Sequence, residues 1–180
     1  MRPYQSVTVA LALILAASGA RAQATLSDTF DLIRSSIASE GAVVWQGNVH
    51  DSGDNSDWTY QRRVEFSNFS YNIAACQFLF HYRVITNGAV STEIDAGIPF
   101  RDVRIIKIVT EAELVGQRDA RAGHPTWRTR NTPEIYDLDI IRLDGTENII
   151  SFYSMGNANH AMDLFVHAAS LCGVSRVETH

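Results

Sequence analysis

"CQFLFHYRVITNGAVSTEIDA" runs from Cys76 to Ala96 and decides the fold class. Its apolar residues recur every second position: Cys76, Phe78, Phe80, Tyr82 and Val84 share one face of an extended strand. Asn87-Gly88 then breaks the run. A tight hairpin turn asks for positive φ at both central residues, and Asn-Gly meets that demand at little steric cost. "AVSTEIDA" resumes the two-residue period, so the stretch reads as an antiparallel hairpin. Glu93 and Asp95 flank Ile94 on one strand face, the ordinary wet side of a sheet.

The same period extends in both directions. "AVVWQGNVH" from Ala42 and "WTYQRRVEFSNFS" from Trp58 read as two more strands joined by the polar loop "DSGDNSD". "GIPFRDV" turns the chain into the apolar run "RIIKIVT", which ends at Thr110. "EIYDLDIIRL" and "ENIISFY" flank Asp144-Gly145, a second hairpin. Between these hairpins, Glu111 to Pro133 carries no clear period and is expected to be irregular.

Helical spacing appears only near the ends. Leu26, Phe30, Ile33 and Ile37 outline a helix over Ser27 to Ser39, with Ser27 or Asp28 as cap and Gly41 at its end. Near the C-terminus Ala161, Leu164, Phe165, Ala168, Leu171 and Cys172 form one apolar stripe, with Asn157 or Asn159 as cap and Gly173 as the stop. The expected fold is α+β: an N-terminal helix, a seven-stranded antiparallel curled sheet or barrel, and a C-terminal capping helix. Its core is expected to hold Trp45, Phe66, Phe78, Phe80, Tyr82, Ile106, Ile108, Leu138, Ile140, Leu164, Phe165 and Ala168.

Residues 1–22 have the build of a secretory signal: Arg2, the apolar stretch Val7 to Ala17, then Ala20-Arg21-Ala22 before a cleavage site near Ala22/Gln23. The apolar stretch is too short to remain as a membrane span. Residues 23–180 form one expected domain, placed in the periplasm or outside the cell, with no membrane insertion after signal cleavage. Without the signal, 13 basic side chains face 20 acidic ones, a net charge near −7 that argues against nucleic acid as a partner. Two cysteines in an exported chain, Cys76 and Cys172, are read as one disulfide, with two buried free thiols as the other reading.

Three groups of side chains are candidate sites. "QRDARAGHPTWRTR" sets Arg118, Arg121, His124, Trp127, Arg128 and Arg130 against a single acid, Asp119. Arginine and tryptophan suit an anionic or aromatic ligand, or a partner's carboxylates, so this is the candidate binding surface. Asp51, Asp54 and Asp57 are candidate calcium ligands, but they recur at every third residue and lack the glutamate of known calcium loops. His160, Asp163 and His167 share one flank of the last helix as candidate metal ligands. However, seven residues at 1.5 Å each hold the two histidines about 10 Å apart, too far to share one zinc ion. Gly-x-Ser-x-Gly, Ser-x-x-Lys and glycine-rich phosphate loops do not occur, so no catalytic residue is named and no cofactor is expected.

In strand order, with a C-terminal helix after seven strands, Ala42 to Gly173 resembles the pleckstrin-homology (PH-like) superfold. "GIPFRDVRIIKIV" resembles the entry to its mid-barrel strand, and "NHAMDLFVHAASLCG" the closing helix of small exported bacterial PH-like proteins. The family's inositol-lipid site needs basic residues around the loop between its first two strands. Here "HDSGDNSD" has three aspartates and no Lys or Arg, with Arg62 and Arg63 the nearest cations, so the resemblance does not imply lipid binding. The expected function is a binding or interaction module of the cell envelope, with the Arg118 to Arg130 loop as its contact surface and an envelope protein or a small anionic ligand as partner. A small metal-dependent hydrolase and a small-ligand carrier are the alternatives. The carrier would need a hollow barrel, whereas large inward residues point to a filled one.

Overall fold

The computed structural model describes residues 25–180; the expected signal segment lies outside them. The elements in chain order are α1 (Leu26–Glu40), β1 (Val43–Asp51), β2 (Ser56–Asn72), β3 (Gln77–Thr86), β4 (Ala89–Pro99), β5 (Val103–Thr110), α2 (Glu111–Arg121), β6 (Trp127–Thr132), β7 (Tyr136–Arg142), β8 (Glu147–Phe152), α3 (Met155–Leu171) and β9 (Glu178–Thr179). The class is α+β, as expected. The seven-stranded barrel is not what forms: nine strands make two sheets, in the orders β4-β3-β2-β1-β6 and β8-β7-β5-β9. All neighbours are antiparallel except the short β5–β9 pair.

The extra elements come from the segment expected to be irregular. Thr110 and Glu113 form a capping box, each side chain bonding the other's backbone N–H, and this starts α2. "WRTRNT" then pairs with β1 as β6, at the edge of the first sheet. At the two ends the expected caps also move. Thr25 caps α1, with Asp28 reaching back to it, and Ser154 caps α3.

The Asn87-Gly88 hairpin forms as expected, with φ of 51° and 80° at its two residues. At Asp144-Gly145 only Gly145 takes positive φ (80°), matching a turn closed by a left-handed glycine. Gly47 is required for a different reason. It pairs with Tyr60 and Asn131 on its two neighbouring strands, and a Cβ there would overlap the Tyr60 ring.

The main core joins α1 (Phe30, Ile33, Ile37), the first sheet (Phe78, Phe80), the second sheet (Ile106, Leu138, Ile140, Ile150) and α3 (Phe165, Ala168). Trp45 belongs to a smaller cluster with Val43, Val64, Val84 and Ile135. Phe66, Tyr82, Ile108 and Leu164, expected in the core, lie at its margin. Cys76 and Cys172 form a disulfide with Cα atoms 5.8 Å apart, joining the β2–β3 turn to the end of α3. No helix among the described residues is long and apolar enough to cross a membrane.

Candidate functional site

Two polar regions stand out, one on the surface at an end of the first sheet and one enclosed between the sheets. The surface region brings two of the candidate groups together. Strand pairing sets Asp51 of β1 beside Trp127 of β6, and the Trp127 indole donates to Asp51 Oδ2 at 2.9 Å. His124 stacks on Trp127 with ring centres 3.8 Å apart and planes 12° from parallel. Trp58 meets Trp127 edge-on at 4.8 Å. The loop between α2 and β6 is tied to the β1–β2 tip, since Ser52 N and Oγ both donate to Thr126 O.

The aspartates of the tip are occupied with the turn itself. Asp51 Oδ1 accepts from Gly53 N at 2.8 Å, and Asp54 Oδ1 accepts from Ser56 N at 3.0 Å. Asp57 pairs with His50 at 2.9 Å. Hydrogen bonds from Thr126 first, and then from Gly53 and Trp127, hold the Asp51 carboxyl below its usual range. Among the described residues no group of three or more His, Cys, Asp or Glu is placed to hold a metal ion. His160 and Asp163 are exposed on α3 and His167 is half-buried beside them.

The six residues of the candidate binding surface divide between several faces. Along β6, Trp127 and Thr129 are half-buried while Arg128 and Arg130 are exposed, as strand alternation requires. Arg128 Nη1 bonds the carbonyls of Pro125 and Trp127 at 2.7 and 2.8 Å, which fixes its side chain over the turn. Arg121 is exposed in the last turn of α2. Arg118 lies apart from these, beside Tyr82 and Ile149. Two depressions flank the same segment of β6. One, of about 490 Å³, is lined by His50, Trp58, Arg128 and Arg130. The other, of about 470 Å³, lies between α2 and β6, against Ala112, Gly116, Trp127 and Arg128.

Sequence reasoning missed the enclosed region. Asp137 and Asp139 of β7 are fully buried on the strand face opposite Leu138 and Ile140. Ser151 Oγ donates to Asp137 Oδ1 at 2.6 Å, and Lys107 stands 3.3 Å from Asp139. Glu111, the first residue of α2, is buried against Asp137 and accepts from Arg62 Nη1 at 2.8 Å. The Arg62 guanidinium also lies 5.9 Å from the centre of the Trp45 ring.

Burial first, and then the neighbouring Asp137, push the Glu111 carboxyl up to about 9, so Glu111 holds a proton at neutral pH. Burial likewise raises the Tyr60 and Tyr82 phenols and the Asp139 carboxyl. Trp45 Nε1, Tyr60 Oη and both amide atoms of Asn131 are buried without a hydrogen-bond partner in the protein. A buried acid pair sharing a proton has the make-up of acid–base machinery. However, Glu111 and Asp137 are shut off from any substrate at 4% and 0% exposure, so the pair's chemistry is internal.

One sequence feature could have located this cluster: the Thr-x-x-Glu capping box at Thr110, which places Glu111 at a helix start instead of in a loop. Asp137 and Asp139 gave no such clue, because alternating acids read as a solvated face. No family model matches the chain, and neither does any curated protein or solved structure.

Proposed function

We propose that the protein is an exported binding module whose contact surface is centred on Trp127, Arg128 and Arg130 at the start of β6. One observation carries the reading: the two depressions of about 490 and 470 Å³ both abut Arg128 and Thr129. His124 stacked on Trp127, with Trp58 edge-on against it, stiffens the surface between them. Rigid aromatic rings next to a fixed guanidinium are the usual anchors of a binding site. Arg128 and Arg130 favour an anionic ligand in the first depression, where His50 is already paired with Asp57.

Export draws support from the N-terminal sequence and from the disulfide, which needs an oxidising compartment. The PH-like reading of the fold rests on the order of elements. Setting aside α1, the α2–β6 insertion and the short β9 leaves four strands in one sheet, three in the other, and a closing helix.

Isothermal titration of the oxidised protein with citrate tests the surface. Wild type should bind, and the pair Arg128→Ala/Arg130→Ala should bind at least about tenfold more weakly with an unchanged melting temperature. Equal heats from the two proteins would overturn the assignment.

A further inference from the structure

The first sheet ends in a strand that nothing among the described residues covers. β4 pairs with β3 alone, and every residue from Ala89 to Asp95 is exposed, so both faces and the outer edge of this half-strand meet solvent. An edge of this length presents a row of backbone N–H and C=O groups on which another chain can pair. We propose that β4 receives an extended strand from another protein, one that alternates basic and apolar residues.

The alternation follows from the two faces of β4. On the outer face Glu93 and Asp95 line the edge, with their cations one strand further in: His81 lies 2.9 Å from Asp95 and 3.2 Å from Glu93, and Arg83 4.0 Å from Glu93. At this end of β4 the outermost charges are therefore acidic, with Asp95 92% exposed, and past the bulge Val90 continues the same face. A strand laid beside it places its own outer-face residues next to these carboxylates, where Arg or Lys is favoured.

The inner face carries Thr92, Ile94 and Ala96. Ile94 is 51% exposed and stands over a slot of about 190 Å³ that separates β4 from β8, the edge strand of the second sheet. Phe80, Tyr82 and Ile149 line it, with Arg118 and Glu147 at its rim. The volume suits one large apolar side chain of an added strand.

In the register centred on Ile94, the same charges disfavour a second copy of this chain. Antiparallel self-pairing centred on Ile94 sets Glu93 of each copy opposite Asp95 of the other, on the same face. Like charges directly opposite across a strand pair are destabilising. This edge and the Trp127–Arg130 surface stand on separate observations, and either can fail without the other.

The probe is a labelled nine-residue peptide alternating Arg and Val, titrated by fluorescence anisotropy into the oxidised protein. Its controls are a peptide alternating Glu and Val and the Arg peptide N-methylated at alternate residues. Wild type should bind the Arg peptide alone, with protection of the 89–95 amides from hydrogen exchange. Glu93→Lys/Asp95→Lys should reverse the preference between the charged peptides. Ile94→Lys, on the other face, should weaken binding about tenfold or more. Both variants alter exposed side chains, and near-UV circular dichroism reports whether each is folded. Unchanged preference after the charge reversal overturns the proposal, as does protection away from β4. So does a dimer, seen by sedimentation velocity, whose β4 amides gain protection with concentration, since that assigns the edge to a second copy.

Discussion

β7 presents two interiors, one on each face. Leu138 and Ile140 join an apolar core with Phe30, Phe78, Phe100 and Phe165, while Asp137 and Asp139, on the other side of the same backbone, meet Glu111 and Lys107. Both faces are buried, but their physics differs. The apolar face gains from every area removed from water, without regard to pH. The acidic face loses hydration and recovers it only through specific partners: Arg62 on Glu111, Ser151 on Asp137 and Lys107 on Asp139. Burial on the first face is robust and nondirectional. On the second it holds only in particular protonation states.

The largest effect should come from breaking the apolar side. Phe165 is fully buried, and its ring stands 5.4 Å from Phe100. Phe165→Ala should cost about 3–5 kcal/mol in urea denaturation. The loss should be the same at pH 5 and pH 8, because no titrating group is involved. A loss that changes with pH would mean that the two faces are coupled.

Next comes the staple on that side. The Cys76–Cys172 disulfide spans 96 residues and ties α3 to the first sheet. Cys76→Ser/Cys172→Ser should lower stability by about 2–4 kcal/mol. Hydrogen exchange in α3 should rise more than in β7, because α3 loses its covalent anchor whereas β7 keeps β5 and β8 on either side. Equal loosening of both would show that the disulfide supports the whole molecule and not the apolar side in particular.

Legibility in the sequence follows the same division. The hairpins at Asn87-Gly88 and Asp144-Gly145, the alternation in "CQFLFHYRVI" and the stripe of α3 were readable because local chemistry and burial agree there. Glu111 to Pro133 was not, because α2 has only 11 residues and few large apolar ones, Leu114 and Val115, so little besides its capping box marked a helix there. The tip aspartates and the Trp127 segment were each noticed, but their meeting depends on β1–β6 pairing between residues 76 positions apart. The acidic pair was hidden more deeply. An aspartate every second residue on a strand predicts a wet face, and only the covering of the second sheet on both sides turns that face inward.

The sharpest test acts on the acidic side through its proton. Glu111 ionises near 4.5 in an unfolded chain and near 9 in the fold. Below the lower value both states hold the proton, so pH has no leverage on this group. Between the two values the unfolded chain has released the proton and the fold retains it, so stability falls as pH rises through that window. Glu111→Gln keeps the shape and can still accept from Arg62 and donate to Asp137, so at pH 5 its stability should lie within about 1 kcal/mol of wild type. An amide cannot ionise, and the variant should therefore gain on wild type steadily from pH 5 to pH 8. Urea midpoints for the two proteins across that range give the answer directly. Diverging curves would locate a retained proton on Glu111. Parallel curves would mean that Glu111 ionises in the fold much as it does outside it, as a full ion pair with Arg62, with the two faces of β7 equally indifferent to pH.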